Sequence, residues 1–265
     1  MSVLFNTILL LCNSVRVACG LASFAAANAV VAALVLPLLL VPSKALRGRA
    51  ISRVLQSVCR FEVFTVLRLL GGLDVDADIS KIPQSEHCGN YIVVANHISL
   101  LDPLILLALF DNLGAVLKRR YASWLVIALL VKVFDFIVVD ESAKNSPRNF
   151  MDIFAEALKR RNILIFPEGG RSKSGRVGEF KKSAFKLAFD LGAEIVPVAI
   201  YSPEPMLSKS AANFFKKAHY RIEVLDTARP RDFKNPSEMR DEVCSAISAA
   251  VGCARADFRK RQAKA

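Results

Sequence analysis

A histidine and an aspartate lie five positions apart in the stretch NHISLLDP, which runs from Asn96 to Pro103. A carboxylate bonded to one imidazole nitrogen fixes the tautomer and stabilises the imidazolium, so the other nitrogen can take a proton from a nucleophile. The two side chains can meet only if Ile98 to Leu101 form a turn, because residues at this spacing point to different sides of a continuous helix. We therefore predict that His97 is a general base and that Asp102 orients it.

The sequence around this pair shows no protein nucleophile with the features that catalysis requires. Ser99 lies between His97 and Asp102 but lacks the glycines of a G-x-S-x-G nucleophile elbow. Cys88, beside His87, has no neighbouring acid at catalytic spacing. We expect a hydroxyl group of the substrate to be the nucleophile, and a positioned base accelerates its attack by about 10²–10⁴-fold.

A structural interpretation of the same aspartate is also open. Aspartate is favoured at the N-cap of a helix and proline at the first helical position, so Asp102 and Pro103 would begin a helix. This interpretation leaves His97 without a role. One carboxylate can serve both purposes, and we expect Asp102 to cap the helix while facing His97.

The stretch FPEGGRSKSG, from Phe166 to Gly175, is a second candidate site. Gly169 and Gly170 permit close approach of a ligand to the backbone, and Arg171 offers a planar fork suited to a phosphate or carboxylate. Glu168 has two possible roles, holding that arginine or binding a ligand hydroxyl. Further positive charge follows at Lys173, Lys181 and Lys182. An anion site is predicted here, with a glycine-rich turn carrying solvated charges as the alternative.

Both candidate sites follow short apolar runs that have the length of strands. The predicted strands are Tyr91–Ala95, Phe136–Val139, Ile163–Phe166, Ile195–Ile200 and Tyr220–Leu225. Helical spacing marks the segments between them, and Pro236 to Cys253 is predicted as a closing helix. This alternation predicts a layered α/β fold with a largely parallel sheet flanked by helices. Ligand sites of such sheets lie at strand ends, where both loops fall.

The amino-terminal segment is strongly apolar, with Arg16 as the sole charged residue from Met1 to Ser43. About 20 apolar residues suffice to cross a bilayer. We predict a membrane anchor over residues 1–43, either a spanning helix or a re-entrant hairpin. The basic residues that follow it predict a membrane-bound protein whose active domain lies on the cytoplasmic side.

The rest of the chain divides into two further predicted parts. Residues 44–72 are predicted to form a basic amphipathic helix that ends at Gly71-Gly72. This helix either packs against the domain or lies in the membrane interface. Residues 73–265 are predicted to form the α/β domain with a basic carboxyl-terminal tail.

Charge and cysteine usage limit the possible partners. The chain has 36 Lys and Arg against 24 Asp and Glu, a net charge of +12 that favours anionic partners. Aromatic residues are not interleaved with the basic ones, so nucleic acid is not predicted as a partner. The six cysteines form no C-x-x-C pair and the three histidines have no ligand spacing, so no metal site is predicted.

Taken together, the motifs resemble those of the phospholipid and glycerol acyltransferases of the PlsC type. The N-H-x-x-x-x-D motif is present as Asn96, His97 and Asp102, and F-P-E-G-T-R-S appears as Phe166 to Ser172 with Gly170 in place of threonine. A V-P-V element is present at Val196 to Val198. The resemblance extends from about Leu73 to Leu225.

The resemblance implies transfer of a fatty acyl group from acyl-CoA or acyl carrier protein to the hydroxyl of a lysophospholipid in the membrane. The usual acceptor is 1-acyl-glycerol-3-phosphate (lysophosphatidate), which gives phosphatidic acid. By this resemblance His97 and Asp102 are catalytic, and the glycerophosphate end is bound by Glu168, Gly169, Arg171 and Ser172. No cofactor is implied beyond the acyl donor.

One departure from the family pattern bears on the acceptor. Family members carry a glycine and a phosphate-contacting arginine in a further motif, where this chain has Asp135 and Asp140 in VFDFIVVDES. Either a nearby cation compensates, or the acceptor is another lysolipid such as a lyso-ornithine lipid. The candidate cations are Lys118, Arg119, Arg120 and Arg148. Two further hypotheses remain open, a non-catalytic lipid-binding protein and a thioesterase that uses water.

Overall fold

The computed structural model describes residues 44–83, 90–119, 136–139, 147–209 and 217–263, with isolated positions between 15 and 33. Across these described residues, no helix is both long and apolar enough to cross a membrane. The anchor predicted over residues 1–43 falls almost entirely outside the described residues, and it stays a prediction.

Seven strands form one sheet in the described part of the chain. They are β1 Leu73–Asp78, β2 Ile92–Ala95, β3 Leu113–Lys118, β4 Ile137–Val139, β5 Asn162–Ile165, β6 Ile195–Tyr201 and β7 Ala218–Val224. Their spatial order is β1-β7-β6-β2-β5-β3-β4. Each neighbouring pair is parallel except β6 and β7. The predicted α/β fold with a largely parallel sheet is confirmed.

Helices cover both faces of this sheet. The α-helices of the described ranges are α1 Lys44–Phe61, α2 Asp102–Leu109, α3 Pro147–Leu158, α4 Ser183–Leu191 and α5 Pro236–Gln262. Alternate residues of β2 face opposite cores: Val93 packs in the core that includes α1 and α2, whereas Ile92 packs in the core with α3, α4 and α5. Strand β2 is therefore buried on both faces, as its uniformly apolar sequence predicts.

All five predicted strands are present, with ends that differ by one or two residues. Strands β1 and β3 were not predicted. The sequence of β1, LDVDAD, is unusual for a strand because it carries three aspartates. In the structure β1 is an edge strand beside β7, where Asp76 Oδ2 accepts a hydrogen bond from Arg221 Nη1 at 2.5 Å. Opposite charges across the two strands thus replace the usual apolar pairs.

Helix α1 is amphipathic and packs on α2. Ile51, Leu55 and Cys59 recur at helical spacing and are buried in the first core. The Arg60 Nε donates to the carbonyl of Ala108 in α2 at 2.8 Å. Of the two interpretations open from the sequence, packing against the domain is confirmed for this buried face.

Beyond Phe61 the helix continues with π-helical geometry from Glu62 to Gly71. Gly72 ends it with a left-handed φ of 67° and donates its N–H to the carbonyl of Leu67, as the paired glycines predict. Large apolar side chains are exposed here: Phe61, the last residue of α1, is 56% exposed, and Leu69 of the π-helical segment is 75% exposed. A surface of this kind often marks a contact with a membrane or another protein.

The carboxyl-terminal helix extends beyond its predicted end. Helix α5 continues to Gln262, so most of the basic segment predicted as a tail is helical. The Oδ1 of Asn235 accepts from the N–H groups of Ser237 and Glu238 at 2.9 and 3.0 Å, which caps the first turn. Basic residues fill the last turn, where they interact favourably with the helix dipole.

Candidate active site

The two predicted loops leave neighbouring parallel strands at the same edge of the sheet. Strands β2 and β5 pair in register, with Val94 opposite Ile165, so the loops that follow them begin side by side. Asn96, the first residue after β2, is buried and exchanges two hydrogen bonds of 2.8 Å with the backbone of Ile200 in β6. This asparagine therefore holds the end of β2 against β6, its neighbour in the sheet.

His97 and Asp102 are in contact, as the sequence predicts. The Nδ1 of His97 lies 2.8 Å from Oδ2 of Asp102, across a turn that separates β2 from α2. The histidine side chain is 14% exposed, whereas the aspartate is completely buried. The contact at Nδ1 leaves Nε2 as the ring nitrogen that can take a proton from a substrate.

The Asp102 carboxylate lies in the interior and is held by the loop that precedes it. Its Oδ2 accepts from the backbone N–H groups of Ile98 and Ser99 at 2.7 and 2.8 Å. Burial raises the pKa of Asp102, and the contact with His97 and these two N–H groups oppose that rise. In its ionised form the carboxylate can balance the charge of a protonated His97.

The predicted capping role of Asp102 is wrong. Helix α2 begins at Asp102, and the N-cap position is Leu101. The carboxylate bonds backward to Ile98 and Ser99, whereas an N-cap side chain accepts from the first helical turn. Pro103 lies in the first turn, one position later than predicted. The aspartate thus serves the histidine and the turn before the helix.

Ser99 is not available as a nucleophile. Its side chain is fully buried, its Oγ donates to the carbonyl of Met206, and the same Oγ accepts from the N–H of Leu101 at 2.9 Å. The hydroxyl is fully engaged in holding the loop. The expectation of a substrate hydroxyl as nucleophile is consistent with this geometry.

The second loop is attached directly to the first. Glu168 Oε1 accepts from the backbone N–H of His97 at 2.9 Å, and Oε2 accepts from Gly178 at 3.1 Å. The N–H of Ser172 donates to the carbonyl of His97 at 2.7 Å. The ring of Phe166 stacks on the imidazole with centroids 4.1 Å apart. Residues of the second loop therefore fix both the backbone and the ring plane of His97.

Within the described residues Glu168 does not hold Arg171, which was one of the two roles considered for it, and its binding of a ligand hydroxyl stays a prediction. Its carboxylate pairs with backbone N–H groups. Burial raises the pKa of Glu168, while the N–H groups of His97 and Gly178 oppose the rise. A carboxylate that joins the two loops is a role that the sequence did not reveal, because its partners are backbone atoms.

The glycines of the second loop differ in what they do. Gly169 has a left-handed φ of 70°, and a Cβ there would lie 2.8 Å from Lys181 Nζ. A Cβ on Gly170 would have nothing within 4 Å. Gly169 is therefore required by the turn, whereas Gly170 borders open space and tolerates the threonine of the family motif. The ammonium group of Lys181 lies over Gly169, where it adds positive charge to the loop.

Arg171 is oriented by a backbone carbonyl from another part of the fold. Its Nη1 donates to the carbonyl of Leu207 at 2.8 Å. A guanidinium has five N–H groups, so others remain for a phosphate or carboxylate. The hydroxyl of Ser172 donates to the carbonyl of Arg176 at 2.8 Å and closes the next turn. The ligand-binding roles of Glu168, Gly169, Arg171 and Ser172 stay predictions.

The residues that depart from the family motif lie outside the described residues, on either side of β4. This applies to Asp135, Asp140 and Arg120, and to the side chains of Lys118 and Arg148. Arg119 is described and exposed. Compensation for the missing arginine by any of these cations therefore stays a prediction.

Comparisons with known proteins agree with the motifs. A family model described as Acyltransferase matches residues 77–201. The chain is 29% identical over 163 residues to a 1-acyl-sn-glycerol-3-phosphate acyltransferase of Borreliella burgdorferi, covering 58% of this chain and 64% of that protein. It is 26% identical over 199 residues to the protein of the same name from Neisseria meningitidis, covering 69% and 77%. The chain thus spans less than two thirds of the first of these relatives.

A solved structure shares the fold. The crystal structure of the 1-acyl-sn-glycerophosphate (LPA) acyltransferase PlsC from Thermotoga maritima superposes with a TM-score of 0.73 at 19% identity. The match covers 92% of this chain and 98% of the other. At this level of identity, the likeness establishes the architecture.

Proposed function

We propose that this chain, whose residues 77–201 match the acyltransferase family, moves a fatty acyl group from acyl-CoA or acyl carrier protein to the free hydroxyl of a lysophospholipid. The favoured acceptor is 1-acyl-glycerol-3-phosphate, and the product is then phosphatidic acid. The names of the relatives from Borreliella burgdorferi and Neisseria meningitidis support this acceptor. The predicted anion site around Arg171 supports an acceptor that carries a phosphate.

The observation that carries the proposal is the 2.8 Å contact between His97 Nδ1 and the buried Asp102. His97 Nε2 removes the proton of the acceptor hydroxyl, and the oxygen attacks the thioester carbonyl of the donor. The tetrahedral intermediate collapses, the carbon–sulfur bond breaks, and the thiolate takes the proton from the imidazolium. One ester forms and one thioester is lost, so the atoms balance without an acyl-enzyme and without a cofactor.

The acceptor is held, in this proposal, by the second loop. Arg171 binds the phosphate with the N–H groups that its contact with Leu207 leaves available. Lys181 contributes a second positive charge over Gly169. With Arg171 and Lys181, the chain retains a phosphate site although it has Asp140 where the family has an arginine.

We also propose that the protein works at a membrane, with the active domain on the cytoplasmic side. The apolar residues 1–43 and the exposed Phe61, Phe64 and Leu69 provide lipid-facing surface. Exposed Arg68 adds attraction to anionic headgroups. Flotation of the full chain with anionic vesicles tests this part, and a protein that stays at the bottom of the gradient contradicts it.

The function is tested by incubating the purified full chain in detergent with labelled acyl-CoA or acyl carrier protein. The acceptors are lysophosphatidate, lysophosphatidylcholine, a lyso-ornithine lipid, and water alone. We expect labelled phosphatidate with the first acceptor. Labelled free fatty acid in every tube would instead identify a thioesterase. A donor that is never consumed would identify a non-catalytic lipid-binding protein.

A further inference from the structure

The segment after β6 contacts both loops of the candidate site. It includes Met206, which is buried, and Leu207, which is partly buried, and it lies between β6 and β7. No sequence motif marks it. Two successive backbone carbonyls of this turn, those of Met206 and Leu207, accept hydrogen bonds from side chains and backbone of the site.

The carbonyl of Met206 holds the loop of the catalytic pair. It accepts from Ser99 Oγ, and the N–H of Ser99 in turn donates to Asp102 Oδ2 at 2.8 Å. The hydroxyl of Tyr220 in β7 lies 3.4 Å from the same carbonyl and also bonds to Ser99. A chain of contacts therefore connects Met206 through Ser99 and Asp102 to the histidine.

The carbonyl of Leu207 holds the second loop, the anion loop from Phe166 to Gly175. It accepts from Arg171 Nη1 at 2.8 Å and from the N–H of Leu100 at 3.3 Å. The backbone of Leu207 has a φ of 53°, which leucine rarely adopts because its Cβ crowds the adjacent carbonyl. Unusual backbone angles persist where the surroundings enforce them, and here they accompany two successive carbonyls that serve two different loops.

We propose that the Met206–Leu207 turn is a bridge that sets the position of the catalytic loop and the orientation of Arg171 together. Ser99 and Tyr220 are positioning residues that act on the reaction through this bridge. The inference rests on the proposed function, because it assumes that Arg171 holds the acceptor. Its consequence is that acceptor binding depends on Ser99 and Tyr220, although both contact the bridge rather than the anion loop.

The coupling is tested without any substrate by amide hydrogen exchange on the full chain in detergent. Replacing Arg171 by Ala removes one of the two hydrogen bonds to the Leu207 carbonyl, and Tyr220→Phe removes one of the two to the Met206 carbonyl. Each change should raise exchange at the Leu100 amide by about two- to tenfold, since that amide bonds to Leu207. Arg176→Ala is the matched control, because its side chain is exposed in the same loop. Exchange at Leu100 that changes in neither variant overturns the bridge.

Kinetics then separate positioning from general loss of structure. We expect Ser99→Ala and Tyr220→Phe to raise the KM for the lysolipid acceptor by about two- to tenfold with an unchanged KM for the acyl donor. A role confined to folding would lower the active fraction and hence kcat alone, and that result contradicts the proposal. Tyr220→Phe is expected to fold like the wild type, since it removes only one hydroxyl.

The failure of the bridge and the failure of the proposed function give different results. A wild-type chain that acylates no lysolipid rejects the function, while the exchange experiment still decides whether the bridge exists. An active wild-type chain whose Ser99 and Tyr220 variants keep their acceptor KM rejects the bridge and leaves the function standing.

Discussion

The two loops that build the site differ in how much of each is buried. In the loop after β2, Ser99 is completely buried and Ile98 is 3% exposed, while Leu100 is 52% exposed. Asp102, the first residue of α2, is completely buried. In the loop after β5, Gly170, Lys173 and Arg176 are exposed, and a Cβ on Gly170 would touch nothing within 4 Å. More of the first loop is buried, and more of the second lies at the surface.

This difference corresponds to the chemistry that each loop has to perform. A proton-transferring pair has to be held within a few tenths of an ångström of its working geometry, which packing and hydrogen bonds achieve. A loop that binds a lipid headgroup has to leave space and unpaired donors for it. We therefore expect loss of His97 or Asp102 to reduce kcat, and loss of Arg171 in the second loop to raise the acceptor KM.

The largest effect on kcat is expected from replacing His97. Replacing it by Ala removes the base, and kcat for acyl transfer should fall by about 10²–10⁴-fold because no other group takes the proton. Acceptor KM should change little, since the ring is not part of the anion loop. Turnover at fixed donor and varied lysophosphatidate measures both values. A variant that keeps its kcat but binds the acceptor poorly would reverse the assignment of the two loops.

Arg171→Ala should show the opposite pattern. A hydrogen bond to a charged group contributes about 1.5–3 kcal/mol, so the KM for an anionic acceptor should rise by about 10–150-fold with a small change in kcat. Arg176→Ala is the matched control and should leave the KM unchanged, because the effect depends on position and not on net charge. Equal effects of the two substitutions would remove Arg171 from the anion site.

Gly169 and Gly170, neighbours in the second loop, should differ in how much each contributes to stability. Gly169→Ala places a Cβ at a left-handed φ, which costs about 1–2 kcal/mol and should lower Tm by about 2–8 °C. Gly170→Ala faces open space and should leave Tm close to that of the wild type. Thermal unfolding of both variants measures the difference. Equal losses would mean that the loop is as tightly packed as the first.

The smallest effect is expected on the pH dependence of stability, through Glu168, which joins the two loops. Burial raises its pKa above the unfolded value of about 4.3, so the protonated side chain is favoured in the folded state. The stability contributed by that protonated form is present below pH of about 4.3 and is lost as pH rises through the folded pKa. The unfolding free energy of wild type minus that of Glu168→Gln should therefore fall with rising pH. Urea unfolding across this range measures it, and a difference that grows with pH would show that the two backbone N–H groups outweigh burial.

The sequence predicted those parts of the site that depend on strands and on local spacing. Strands β2 and β5 are apolar and short, so their ends, and hence the positions of His97 and Glu168, followed from periodicity. The turn at Ile98 to Leu101 followed from the requirement that His97 meet Asp102. Local rules of this kind suffice when both partners lie in one loop.

The contacts that the sequence did not reveal involve backbone atoms distant in the chain. Arg171 bonds to the carbonyl of Leu207, 36 positions later, and Ser99 bonds to Met206, 107 positions later. Any residue type supplies a carbonyl, so no side-chain pattern marks such a partner. The edge strand β1 was not predicted because the partners of its aspartates are also distant in the chain. Asp76 pairs with Arg221 and Asp74 with His219, both on β7.

The most direct test of the central claim, that His97 and Asp102 act as one base, is a double-mutant cycle in kcat. Asp102→Asn is measured alone and in the His97→Ala background, with lysophosphatidate as acceptor. Groups that act as a unit are strongly non-additive, so we expect Asp102→Asn to slow the wild type and to change the His97→Ala variant by less than about twofold. Losses that multiply would contradict the account, because they would show that the two side chains contribute independently.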